Sequence, residues 1–309
     1  MLLDLIIIGA GPAGMTAGIY AARRKLKFLI LSMDVGGQMS WSSEVDNYPG
    51  VPDESGIVLV NKFNNHLKEY KIKIKQEEAL KLEKDAKKNI CNVKTKKNNY
   101  GSKAVIIASG KKPRKLGVPG EDEFIGKGVN YCATCDAPLY KDKICAVVGG
   151  GNSGMDAALF LSKYAKKVYI LEAMPQLGGD AYLRDKILAD PKIQVLNSVK
   201  VKEILGNKFV HSLKYEKEGR EGILNVEGIF IEVGLISKYD FTDVQKNKWG
   251  EIMIYRSTIS HEENMTDIPG IFAAGDCTDI PSKQIIVAAG EGAKAAIASF
   301  NYIDRWKEK

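Results

Sequence analysis

The sequence predicts an α/β protein built of two Rossmann-like domains, the second inserted into the first, and three observations carry that expectation. Two glycine fingerprints each follow an apolar run and each open a small-residue helix. A further apolar run, Gly270-Ile-Phe-Ala-Ala-Gly275-Asp276, returns late in the chain and precedes another helical stretch from Gln284 to Tyr302. Two basic, turn-forming connectors, Lys111-Lys-Pro113-Arg-Lys-Leu-Gly117 and Lys246-Asn-Lys-Trp-Gly250, bracket the second fingerprint. Residues 1–114 and 246–309 are therefore expected to form the first, discontinuous domain, and residues 115–245 the second.

The first fingerprint is Leu5-Ile-Ile-Ile-Gly9-Ala-Gly11-Pro12-Ala13-Gly14, a buried-type strand followed by a helix from Pro12 to about Arg24. The glycines serve different ends. Gly9 permits the tight turn, Gly11 lets backbone approach a pyrophosphate, and Gly14 lets helix and strand lie close. Proline suits a first helical turn, and Arg23, Arg24 and Lys25 complement the negative end of the helix dipole. A polar loop from Gly36 to Gly50, a helix near Ile57–Tyr70 and short strands up to Ala104–Ala108 complete this segment.

The second fingerprint, Gly149-Gly150-Gly151-Asn152-Ser153-Gly154, repeats the pattern after Ile144–Val148 and continues into a helix from Met155 to Tyr164. The next strand, Val168–Leu171, ends at Glu172, near the spacing at which a carboxylate accepts hydrogen bonds from an adenosine ribose. A carboxylate there favours a 2′-hydroxyl over a 2′-phosphate. The duplicated βαβ unit predicts parallel central sheets with crossover helices.

Composition narrows the class. At 309 residues with 45% apolar content the chain can fill two cores. No apolar stretch approaches the 18 or more residues that would span a bilayer, Asp4 interrupts the N-terminal one, and no secretory signal is visible. Five cysteines with one close pair are not a disulfide framework, so a reducing cytoplasmic setting is expected. The net charge of +7 rests on lysines spread through Lys71–Lys97 among apolar and acidic residues, a pattern of solvated strand faces and turns. No nucleic-acid-binding signature accompanies them.

Cys132-Ala-Thr-Cys135 precedes the second fingerprint. Zinc would want four ligands in paired spacing, whereas Cys91, Cys145, Cys277 and the three histidines are scattered. Two sulfurs at this spacing can instead close a small ring and exchange with another disulfide. Asp136 is the adjacent candidate acid–base group, with helix capping as its structural alternative. The other three cysteines read as packing residues.

Cys-Ala-Thr-Cys-Asp, Gly-Ala-Gly-Pro-Ala-Gly and Ile-Phe-Ala-Ala-Gly-Asp together resemble the low-molecular-weight thioredoxin reductases over essentially the whole chain. That resemblance implies FAD in the first domain, with Gly9, Gly11, Pro12, Ala13, Gly14, Gln38, Asn47, Asp276, Lys283 and Gln284 matching family flavin contacts. It also implies a homodimer, with Cys135 facing the flavin and Cys132 attacking the disulfide of a thioredoxin or glutaredoxin-like partner. The family's NADPH enzymes carry a His-Arg-Arg run and a further arginine where this chain has Leu171, Glu172, Ala173 and Leu177. NADH, held by Gly149, Gly151, Asn152, Ser153, Gly154 and Glu172, is thus expected over NADPH.

Leu-Glu-Ala-Met-Pro and the tail Ala-Ala-Gly-Asp-Cys with Lys-Gln-Ile-Ile-Val-Ala-Ala-Gly-Glu-Gly-Ala-Lys are similar to the flavoprotein of alkyl hydroperoxide reductase, whose donor is NADH. That family carries a thioredoxin-like module ahead of its reductase core. Here the first strand begins within a few residues of Met1, so the acceptor module is expected on a separate protein, one able to serve a peroxidase. Placement of dithiol and nicotinamide site in one domain and flavin in the other predicts hinge rotation near Gly117 and Gly250. The competing readings are a ferredoxin-linked thioredoxin reductase and a non-enzymatic flavin redox sensor.

Overall fold

The computed structural model describes residues 2–42, 45–52, 54–237, 239–255 and 263–307. The chain divides into two compact units: Met1–Ser40, Val45–Lys112 and Ile236–Lys309 form one, and Trp41–Glu44 with Pro113–Leu235 form the other.

In the first unit, strand Leu3–Ile8 pairs in parallel with Phe28–Leu31 on one side and Asn99–Ile107 on the other, and Ile271–Ala273 joins Asn99–Ile107 in parallel. Side chains alternate across this sheet. Leu5, Ile7, Ile106 and Phe272 face a core shared with the helices Pro12–Arg23 and Ile285–Asp304, while Ile6, Ile8, Val105, Ile107 and Ile271 pack on the opposite side. Both faces are covered, which is why these strands read as unbroken apolar runs. The two helices approach closely through small residues; a Cβ on Gly292 would collide with the Ala13 carbonyl.

The hairpin Lys81–Asp85 and Ile90–Lys94 extends the sheet in antiparallel fashion. Leu82, Cys91 and Val93 point inward there and Lys81 and Lys94 outward, so the lysine-rich stretch does form solvated strand faces.

The second unit holds a five-stranded parallel sheet in the order Ile193–Asn197, Lys167–Glu172, Ile144–Val148, Gly228–Ile231, Val129–Asn130. Helix Asn152–Ser162 packs on it. An antiparallel meander, Val199–Gly206, Val210–Lys217 and Arg220–Asn225, closes the other side of the core. The meander and the hairpin of the first unit are additions to the expected parallel sheets.

The second passage between units falls at Leu235–Ile236, ahead of the connector expected at Lys246–Gly250, and the first at Lys112–Pro113 rather than after Arg114. The reason is packing. Tyr239, Val244 and Ile252 bury against Ile6, Ile8 and Ile107, so residues from 236 onward belong to the first core. Lys246–Gly250 is an internal turn, closed by hydrogen bonds from Asn247 N to Glu251 O and from Gly250 N to Asn247 O. Among the described residues no helix is long and apolar enough to cross a membrane.

Candidate functional site

Both glycine loops lie at the carboxyl ends of parallel strands, and their steric logic repeats. Gly9 has φ +109° and Gly149 has φ +111°, backbone that side chains other than hydrogen resist. A Cβ on Gly9 would strike the Ala108 carbonyl, and one on Gly149 the Glu232 carbonyl. Gly14 and Gly154 press equally hard on the backbone of Gly9 and Gly149. Gly11 and Gly151 differ: a Cβ on Gly11 would meet only Gly36 O at 3.9 Å, and one on Gly151 nothing within 4 Å. Each is an N-cap without a side-chain cap bond, and Pro12 occupies the first turn of its helix. Open space beside a helix N-terminus with no capping side chain fits a dinucleotide pyrophosphate, so the residues present suit the groups the motifs imply.

Around the first loop, the structure gathers the residues expected to hold a flavin. Gln38 Nε2 donates to Lys111 O at 3.2 Å, and Asn47 Nδ2 donates to Gln284 Oε1 at 3.1 Å. Lys283 Nζ donates to Thr278 O at 2.6 Å and lies 3.2 Å from Glu251 Oε1. Asp276 follows strand Ile271–Ala273; burial raises its pKa, with Lys283 and Lys111 acting against that shift. Burial likewise opposes ionisation of Glu251, but hydrogen bonds from Lys111, Asn247 and Lys283 outweigh it and hold the carboxyl at about 2.

Around the second loop, Glu172 Oε2 accepts from Gly150 N at 2.6 Å and Oε1 from Met174 N at 2.7 Å. The carboxylate expected to receive a ribose thus also braces the glycine turn. Leu177 is buried and presents no charge. Asn152 is tied to Asp180, accepting from its N–H at 2.8 Å and donating to its carboxylate at 3.1 Å, while Ser153 is exposed. Glu232 directly follows the neighbouring strand Gly228–Ile231, and burial, then the negative charge of Asp156, push its carboxyl up to about 8.

Cys132 and Cys135 are joined in a disulfide, with Cα atoms 5.4 Å apart. Cys132 caps the short helix Ala133–Asp136, which contains Cys135, and the Cys135 N–H points to Cys132 Sγ at 3.2 Å. Cys135 is exposed and Cys132 half-buried. Asp136 makes no side-chain cap bond to the turn that follows, and burial raises its pKa. Cys91, Cys145 and Cys277 are free and buried, and burial pushes their thiols to about 11, 12 and 12, away from thiolate chemistry.

Three charged residues near these loops, Lys111, Glu251 and Glu232, escape a reading of the sequence. A charged residue directly after a buried strand is the available signal for Glu232; Lys111 looks like connector charge, and nothing local marks Glu251.

Paired dinucleotide cradles and a bonded Cys-X-X-Cys define an oxidoreductase of the disulfide-handling class. The chain belongs to the pyridine nucleotide-disulphide oxidoreductase family, whose sequence model matches residues 3–293. Over 308 residues it is 37% identical to a protein named NADH dehydrogenase from Ferdinandcohnia aciditolerans, covering 98% of this chain and 58% of that one. Over 312 residues it is 36% identical to a subunit of the alkyl hydroperoxide reductase of Escherichia coli, covering 98% and 59%. The chain therefore spans less than two thirds of the length of these curated relatives. Among solved structures, thioredoxin reductase of Lactococcus lactis in its FR conformation superposes with a TM-score of 0.91 at 33% identity, covering 98% of this chain and all of that one. T. acidophilum thioredoxin reductase superposes with a TM-score of 0.89 at 35% identity, covering 97% and 98%.

Proposed function

We propose that this chain is a flavoprotein disulfide reductase that takes electrons from NADH through FAD to the Cys132–Cys135 disulfide. From there they pass to the disulfide of a thioredoxin or glutaredoxin-like protein, which can in turn supply a peroxidase. The observation that carries the reading is the bonded cysteine pair in the same unit as the open cradle at Gly151.

In this reading Gly9, Gly11, Pro12, Ala13 and Gly14 cradle the FAD pyrophosphate, and Gln38, Asn47, Asp276, Lys283 and Gln284 surround the rest of it. Gly149, Gly151, Asn152, Ser153 and Gly154 hold the nicotinamide nucleotide, with Glu172 offered to its ribose hydroxyls. Bound in that cradle, FAD would supply two-electron chemistry linking the nicotinamide nucleotide to the Cys132–Cys135 disulfide. Reduction of the disulfide breaks the S–S bond and leaves two thiols, one as thiolate until a proton arrives. In this reading Asp136, next to Cys135 in sequence and with its pKa raised by burial, supplies that proton. Cys132 then attacks the partner's disulfide, Cys135 displaces the partner, and the internal disulfide returns. The functional unit is a homodimer.

Cys132→Ser tests this directly: it should keep NADH-driven bleaching of the flavin and lose protein-disulfide turnover. Full turnover in that variant would overturn the sulfur relay and favour direct oxidation of the flavin, the reading that relatives named NADH dehydrogenase suggest.

A further inference from the structure

Two lysines share one carboxylate oxygen in the first unit. Lys111 Nζ lies 2.8 Å from Glu251 Oε1, and Lys283 Nζ lies 3.2 Å from the same atom. Both partners are largely buried, with 14% of the Lys111 side chain and 13% of the Glu251 side chain exposed. Glu251 is steadied further by Asn247 Nδ2 at 2.7 Å, and the Lys111 carbonyl receives Gln38 Nε2. Taking an ammonium out of water is costly, and one carboxylate needs only one ammonium to balance it. A second lysine, only partly exposed, on an already paired glutamate leaves a positive charge that another negative group can balance.

The surroundings indicate where that group sits. Lys111 follows strand Asn99–Ile107, Asp276 follows Ile271–Ala273, and the first glycine loop follows Leu3–Ile8; the three strands are parallel neighbours, so all three lie at one carboxyl edge. Ligands of such sheets bind at that edge, where the strand order reverses. The fields of Lys111 and Lys283 both reach Asp276 at this edge. Two ammoniums against Glu251 leave one positive charge, which Asp276 offsets only to the extent that it ionises.

We propose that Lys111 is a further positioning residue for the flavin, a charge held on Glu251 beside Lys283 that stabilises the two-electron-reduced, anionic form of the ring. The proposal rests on the assignment of FAD to this cradle. When NADH delivers a hydride, two electrons and one proton enter the ring system, the nicotinamide leaves oxidised, and one negative charge remains on the reduced flavin. Protein charge near the ring is a recognised lever on that equilibrium.

The test is the midpoint potential of the FAD-loaded protein, measured by gradual reduction with dithionite against a reference dye. Lys111→Met should make the flavin about tenfold harder to reduce, a fall of about 30 mV for a two-electron couple. Lys111→Arg should restore the parent value, and Glu251→Gln should shift the potential in the opposite direction. A merely structural role would move Lys111→Met and Glu251→Gln together or leave both unmoved, and either result in FAD-replete protein overturns the proposal alone. If Glu251→Gln fails to fold, the Met and Arg variants of Lys111 decide it between them. Parent protein that cannot take up FAD would overturn the functional reading and this proposal with it.

Discussion

Replacing Gly151 by alanine separates binding from folding, because the structure gives Gly151 and Gly154 opposite surroundings. At Gly151 φ is −81° and ψ is −174°, which alanine adopts without strain, and a Cβ would meet nothing within 4 Å. The stability cost is that of alanine instead of glycine at an N-cap, about 1 kcal/mol at most. For a chain of this size that is a fall in Tm of about 2–4 °C. The same methyl would stand where the pyrophosphate must approach the helix N-terminus. Losing one charge-assisted hydrogen bond costs about 1.5–3 kcal/mol, or a rise of about 10- to 150-fold in the Kd for NADH. Gly154→Ala is the control: its Cβ would collide with Gly149 backbone, which cannot step aside, so about 3 kcal/mol of overpacking and a fall of about 6–12 °C are expected. Calorimetric titration with NADH and thermal melts of both variants make the comparison. Parent-like NADH affinity in Gly151→Ala, or a stability loss equal to that of Gly154→Ala, would refute the assignment of this cradle.

Two further outcomes follow from the carboxylates of the second unit. Glu172→Arg should raise the NADPH-to-NADH ratio of kcat/KM by about a hundredfold, since a like-charge contact worth several kcal/mol becomes an attraction. Because Glu172 also receives Gly150 N and Met174 N, affinity for both nucleotides should fall, and an unchanged ratio in steady-state kinetics would show that the ribose lies elsewhere. Glu232 has a folded pKa raised from 4.5 to about 8, so its protonated form stabilises the fold: the contribution is complete below pH 4.5, declines as pH rises, and is gone above about pH 8. Denaturant melts should show Glu232→Gln flattening the pH dependence across that window, and a slope identical to the parent would contradict the burial of this group.

The glycine cradles were legible because their constraints are local: Gly14 presses on Gly9, and Gly154 on Gly149, so sequence spacing alone encodes the geometry. The strands beside them were legible for a related reason, since burial on both faces leaves an unbroken apolar run such as Leu5–Ile8. The second passage between units was misplaced because Lys246–Gly250 has the composition of a linker and of an ordinary turn alike; only the burial of Tyr239 and Val244 against distant strands decides it. The meander Val199–Asn225 is masked by charge, with residues such as Lys200, Glu221 and Arg220 on its exposed positions. The Lys111–Glu251 pair joins residues 140 positions apart, a contact that tertiary packing creates and no motif announces.

The central claim is that electrons reach the Cys132–Cys135 sulfurs through a bound flavin, and anaerobic titration with NADH while counting free thiols tests it most directly. FAD and the disulfide each accept an electron pair, so the FAD-loaded parent should consume roughly two NADH per chain and expose two new thiols, while Cys132→Ser should consume roughly one. Parent protein that stops at one equivalent, bleaches its flavin and exposes no thiol would contradict the account.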